Sequence, residues 1–210
     1  MKNKKTLYHF ILDKSWSMQN CFGSTIKAFK EQLENIKRLN NENDDQEIIV
    51  SFTAFNTEVD HLISDAGPNS FSDNVLELQT PNGMTALLDA IGTSVQRIER
   101  NHGGEIEADK LSVIVLVLTD GYENSSRLFT YPEIAQMVKR LEVTRKWVFN
   151  FLGAEIDAYG ISKQLNIQED NVIQLEKNKI KHVMKDVEAS MDDYIKMKKK
   201  GIIKSKFIKK

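Results

Sequence analysis

The segment Asp13-Lys14-Ser15-Trp16-Ser17-Met18 sets a carboxylate and two hydroxyls at alternate positions. Hydroxyls at i and i+2 of one loop can aim both oxygens at one point, and magnesium is a hard ion that takes six oxygens in a near-octahedron. Two distant segments carry further oxygens of the same kind. Thr80-Pro81-Asn82-Gly83-Met84-Thr85-Ala86 offers the Thr85 hydroxyl, and Thr119-Asp120-Gly121-Tyr122-Glu123-Asn124 offers a second carboxylate. Ser15, Ser17 and Thr85 would supply neutral oxygens, while Asp13 and Asp120 would supply negative charge directly or through bound water. A shell dominated by neutral hydroxyls leaves a divalent cation electrophilic toward an incoming carboxylate. Taken singly, each residue also has an ordinary structural role, because Asp, Ser and Thr cap helices and Asp-Gly is a common turn. Two carboxylates about 6 Å apart would repel by about 3 kcal/mol at an effective dielectric of about 20.

These segments need elements to hold them together. Residues 5 to 12 and 111 to 119 are nearly continuous apolar runs that predict strands buried on both faces, with shorter runs at 47 to 55, 147 to 152 and 171 to 175. Residues 58 to 64 follow a tight turn at Asn56-Thr57 and predict an antiparallel hairpin with the strand before them. Between the runs the period becomes helical. Phe22, Ile26, Phe29, Leu33 and Ile36 form one stripe, Leu87 or Leu88, Ile91, Val95 and Ile98 a second, and Ile134, Val138 and Leu141 a third. The third follows a Thr130-to-Glu133 capping box with Pro132 in the first turn. A short helix fits 156 to 165, and a last one from about Asn178 to Met197 places Ile180, Val183, Met184, Val187, Met191 and Ile195 on one side. Alternating strands and helices predict right-handed crossovers in a three-layer, doubly wound α/β fold. Its sheet is six-stranded and mostly parallel, with one antiparallel edge strand. Ligands of such sheets sit beyond the carboxyl ends of the strands, where the oxygen-bearing loops fall.

Asp13, Ser15 and Ser17, a threonine in a Gly-x-Thr loop, and Asp120 in Thr-Asp-Gly together resemble the metal-ion-dependent adhesion site (MIDAS) of von Willebrand factor A domains of the intracellular bacterial kind. D-x-S-x-S alone is a weak signal, but each piece stands in family order after the expected strand or before the expected helix. The resemblance covers residues 5 to about 195. It implies a Rossmann-like fold and a divalent cation, magnesium first and manganese or calcium otherwise, held by Asp13, Ser15, Ser17, Thr85 and Asp120. In this family the aspartates often act through water, and an Asp or Glu of a protein partner completes the octahedron. Intracellular relatives frequently work beside ATPases or modifying enzymes. Trp16 stands where glycine is common. It could serve as an interface anchor or pack back over the loop. Glu123 and Asn124 follow closely enough to line the rim, and Lys14 reads as a solvated residue.

Composition bounds the alternatives. The 210 residues, 40% hydrophobic and 28% charged, suit one soluble α/β domain. No run is long enough to span a membrane, and the apolar stretch after Met1-Lys2-Asn3-Lys4-Lys5 is too short and too soon charged for a secretion signal. The single Cys21 cannot form an internal disulfide, which favours the cytoplasm. Residues 196–210 hold eight lysines and no acid, so a net charge of −1 for the whole chain leaves −9 on residues 1–195. We therefore divide the chain into a domain over 1–195 and a lysine-rich tail over 196–210, read as a helix end fraying into a solvated terminus. Nucleic acid is an expected partner only through that tail, since the domain is acidic and shows no interleaved basic and aromatic patch. The chain by itself is expected to be monomeric. A metal-dependent phosphohydrolase is the alternative function. It would need a carboxylate at Ser15, and no His or Lys is placed as an obvious general base, so a binding module and not an enzyme is expected. His9, His61, His102 and His182 show no ligand spacing.

Overall fold

The computed structural model describes residues 5–70, 72, 74–202 and 205–208. Residues 1 to 4 of the expected domain, and Lys204, Lys209 and Lys210 of the expected tail, lie outside the described residues. Strands β1 (Lys5–Asp13), β2 (Glu47–Phe55), β3 (Val59–Ala66), β4 (Leu111–Thr119), β5 (Trp147–Ala154) and β6 (Val172–Leu175) form a six-stranded sheet in the order β3-β2-β1-β4-β5-β6. All neighbours run parallel except β2 and β3, the expected hairpin at the edge. The order reverses direction between β1 and β4. That topological switch opens a crevice beyond their carboxyl ends.

Alternation along the central strands feeds two cores. Tyr8, Phe10, Leu12, Ile114, Leu116 and Leu118 face one side, where α1 (Phe22–Glu42) and α6 (Ile180–Lys199) cover them. Leu7, Ile11, Val113, Val115 and Val117 face the other, beneath α3 (Leu87–Glu107), α4 (Tyr131–Glu142) and α5 (Ala158–Gln164). In the first layer the Phe29 ring stands edge-on to Phe10 and Phe52, at 5.3 and 5.2 Å between centroids. The helical stripes read from the sequence are the buried faces of α1, α3, α4 and α6. The capping box at Thr130 and Glu133 forms as expected. A four-residue helix α2 (Asn74–Glu77) was not foreseen. It is too short to show a period, and its Leu76 plugs the first core with no exposure. Among the described residues no helix is long and apolar enough to cross a membrane.

The tail departs from the solvated terminus expected of it. Helix α6 continues to Lys199, and Lys198 is only 5% exposed. Its Nζ donates to Lys5 O at 2.6 Å, Thr6 Oγ1 at 2.5 Å and Ser112 Oγ at 2.8 Å, at the starting ends of β1 and β4. Farther on, Asn171 clasps the chain: its Nδ2 donates to Ser205 O and its Oδ1 accepts from Phe207 N, each at 2.8 Å. Phe207 packs on Tyr194, and both it and Ile208 are buried. A count of lysines hides this, because two apolar residues and three aligned acceptors outweigh the charge of the segment.

Burial pulls the Lys198 ammonium from the usual 10.5 down to about 7. The fold therefore disfavours the charged form, and the stability it costs grows as pH falls from 10.5 toward 7. The three oxygens around Nζ moderate that cost. Replacing Lys198 with Met removes the pH-dependent part and leaves the unpaired acceptors as a constant loss. Relative to wild type, Lys198→Met is expected to be better tolerated at pH 6 than at pH 9, by about 2 kcal/mol. Urea denaturation at the two pH values measures the difference, and an equal or opposite one would refute a strained ammonium.

Candidate metal centre

The first loop is fixed from below and above. Asp13, the last residue of β1, accepts from Ser15 N at 2.6 Å through Oδ1 and from the Thr119 hydroxyl at 2.5 Å through Oδ2. Trp16–Asn20 then form a 3-10 turn whose Met18 is wholly buried, which anchors the loop in the core. Trp16 N donates to Gly83 O at 3.1 Å and Asn82 N to Lys14 O at 2.9 Å, so the second loop lies against the first. Gly83 has φ +72°, and a Cβ there would stand 2.7 Å from Thr57 Oγ1. Only glycine suits that turn. The third loop is tied to the second: Thr85 N donates to Asn124 Oδ1 at 2.8 Å, and Asn124 N to Thr85 O at 3.0 Å.

With the loops held this way, the five residues singled out in the sequence come together. Ser15 Oγ lies 3.0 Å from Ser17 Oγ, which lies 2.5 Å from Asp120 Oδ1. A Cβ built on Gly121 would meet Thr85 Oγ1 at 2.6 Å, Asp13 Oδ2 at 3.3 Å and Ser17 Oγ at 3.4 Å. Glycine thus leaves open a cradle that oxygens from all three loops surround. Asp13, Ser15, Thr85 and Asp120 are buried, while Ser17 is exposed and marks the solvent side. Among the described residues no group of three or more His, Cys, Asp or Glu could hold a metal ion. The donors here are instead two carboxylates and three hydroxyls, a set that fits a hard divalent cation.

Burial pushes the Asp13 carboxyl up to about 6, against the hydrogen bonds from Thr119 and Ser15, with the nearby Asp120 adding to the rise. The Asp120 side chain is answered by a residue that the sequence reading passed over. Lys177 Nζ stands 2.7 Å from Asp120 Oδ2 as an ion pair, 3.2 Å from Ser17 O and 3.5 Å from Glu155 Oε2. No His or Lys was expected as an obvious general base, and the lysine that does stand beside the site is tied up in ion pairs. Burial works against the charge of Lys177, but its pairing with Asp120 and Glu155 prevails and raises its pKa above 10.5. It is an ammonium and not a general base. Lys177 lies just after β6, and the rule that strand ends carry function would have found it had it been applied to that short strand.

The remaining expectations sort by contact. Lys14 is paired, not solvated, with Nζ 2.6 Å from Asp60 Oδ2 and 3.0 Å from Gln79 Oε1. Asn124 lines the crevice, whereas Glu123 turns away from it to accept from Leu88 N, Ser125 N and Ser126 N. Asp89, not singled out in the sequence, accepts from the backbone of Arg127, Leu128 and Phe129 and so braces the third loop against α3. His9 is buried with Nε2 3.1 Å from Thr53 Oγ1, far down the sheet from the crevice. Trp16 is 63% exposed, and it joins Met84 at 50% and Tyr122 at 57% on the crevice rim.

Comparison with solved structures returns the same architecture. Proximal thread matrix protein 1 of the mussel byssus, with a zinc-occupied MIDAS motif, aligns at a TM-score of 0.63 and 16% identity, over 89% of this chain and 45% of that one. The chain thus spans less than half the length of the mussel protein. The vWF domain of the type V pili tip protein Mfa5 from Porphyromonas gingivalis aligns at 0.66 and 10% identity, covering 93% of this chain and 97% of that one. The pilus adhesin SpaC from Lactobacillus rhamnosus GG aligns at 0.66 and 13% identity, over 93% and 30%. Among curated proteins the sequence finds no match. The family model for the von Willebrand factor type A domain matches residues 9–191, from within β1 to within α6, and the chain belongs to that family.

Proposed function

We propose that this domain is a metal-dependent protein-binding module whose crevice holds one divalent cation, magnesium in the first place and manganese or calcium otherwise. The observation that carries the reading is the convergence of hydroxyl and carboxylate oxygens from three loops on the cradle left by Gly121. Ser15, Ser17 and Thr85 would hold the ion through their hydroxyls, with Asp13 and Asp120 contributing charge directly or through water. The bound ion would supply a positive charge with a coordination position open to an Asp or Glu of a protein partner. Exposure of Ser17 is consistent with access from solvent.

The chain's own residues shape what docks there. Trp16, Met84 and Tyr122 rim the crevice with exposed apolar surface, the kind that anchors interfaces. Tyr122 is steadied by Asp157 N, which donates to its hydroxyl at 3.3 Å. A carboxylate flanked by apolar residues matches such a rim. Two observations weigh against the phosphohydrolase alternative: Ser15 occupies the position where that chemistry needs a carboxylate, and Lys177 is held charged. Cys21, buried and without a disulfide, supports a cytoplasmic location. We retain the monomer as the state of the isolated domain.

Gly121→Ala is expected to weaken magnesium binding at least about tenfold, since the new methyl enters the oxygen cradle. The joint Ser15→Ala, Ser17→Ala change should abolish it, with the circular dichroism spectrum of the fold retained in both variants. Calorimetric titration with magnesium, manganese and calcium reads the outcome, and wild-type affinity in both variants would defeat the metal assignment. For partner binding, capture with and without chelator, read by mass spectrometry, should yield proteins retained only when metal is present. Trp16→Ala should lower that retention while leaving magnesium affinity unchanged. Equal capture by wild type and the variant would remove the rim from the interface.

A further inference from the structure

Lys177 offers more than a counter-charge. Its Nζ lies 2.7 Å from Asp120 Oδ2 and 3.2 Å from Ser17 O, so one ammonium engages two of the residues that face the cradle. Four charged groups meet at this spot: Asp13 on β1, Asp120 after β4, Glu155 after β5 and Lys177 after β6. The Asp120 side chain has no solvent exposure, and the Lys177 side chain only 23%. Two buried carboxylates with no opposite charge would repel each other, and the lysine is the positive group paired with one of them, Asp120. A divalent cation in the cradle would meet that same ammonium as a like charge a short distance away.

We propose that Lys177 is a built-in cation that stabilises the metal-free site and, by repulsion, sets a ceiling on its affinity for divalent ions. The inference rests on the metal-site reading above. Asp120 is the shared element: whatever it gives to the lysine is withheld from the metal. The site is therefore tuned to bind and release its ion, and the residue that tunes it comes from the loop between β6 and α6, not from any of the three loops that present the oxygens.

The test pairs two variants with two readouts. Lys177→Met removes the charge and is expected to bind magnesium about tenfold more tightly, by calorimetry, than wild type. With chelator present, the same variant should melt at a lower temperature, since Asp120 loses its partner. Lys177→Arg keeps the charge and should stay within about threefold of wild type in affinity. If Lys177→Met does not fold, Lys177→Gln, which retains a donor for Asp120 and Ser17 O, replaces it with the same expectation. Affinity of the neutral variant equal to or weaker than that of a wild type that does bind would overturn the lysine's role and leave the metal site standing. A wild type that binds no divalent ion would remove both.

Discussion

Asp13 and Asp120 are buried carboxylates carried at the ends of two neighbouring parallel strands, and the rest of the structure follows from keeping them there. A charge so placed is unfavourable unless opposite charge or hydrogen bonds compensate it. The first loop, the end of β4 and the segment after β6 contribute to that compensation. Thr119 and Ser15 donate to Asp13, Ser17 and Lys177 attend Asp120, and Gly121 keeps the space between them open. The reversal of strand order between β1 and β4 makes such a gathering possible, because consecutive crossovers leave on opposite sides and no helix covers the gap.

Support of the site is graded outward. The oxygens that face the cradle sit on loops whose backbones are bonded to one another, Trp16 to Gly83 and Thr85 to Asn124. Those loops in turn rest on buried anchors: Met18 in one core, and Asp89 beneath the third loop. Side chains at the rim carry no such burden and are free to project. A tryptophan therefore stands between Ser15 and Ser17 without disturbing either hydroxyl.

Much of this was legible in the chain before any coordinates. Buried strands announce themselves by continuous apolar runs, as at Leu111 to Leu118, and α1, α3, α4 and α6 by stripes of period three and four. The site was legible because its residues cluster in three short segments, each next to a strong element. What escaped has a physical reason in each case. Lys177 acts alone, one lysine among many, and the residue types of Glu176-Lys177-Asn178 do not set it apart from a solvated neighbour; only its place just after β6 marks it. Helix α2 has a single buried side chain and no repeat. The tail was misjudged because charge is counted per residue, while Lys198 and Phe207 find their partners at Lys5, Ser112 and Asn171, far away in sequence.

The clasp of Asn171 on Ser205 and Phe207 has a geometric corollary. It adjoins Val172, which is level with Phe151, Val117 and Ile11, two residues from Asp13, whereas Lys198 meets the sheet where β1 and β4 begin, at the edge remote from the crevice. A nine-residue strand separates the two edges by about 26 Å. The polypeptide that reaches residues 205–208 from Lys198 therefore climbs the flank of the sheet beside β6, part of the way from the remote edge toward the crevice.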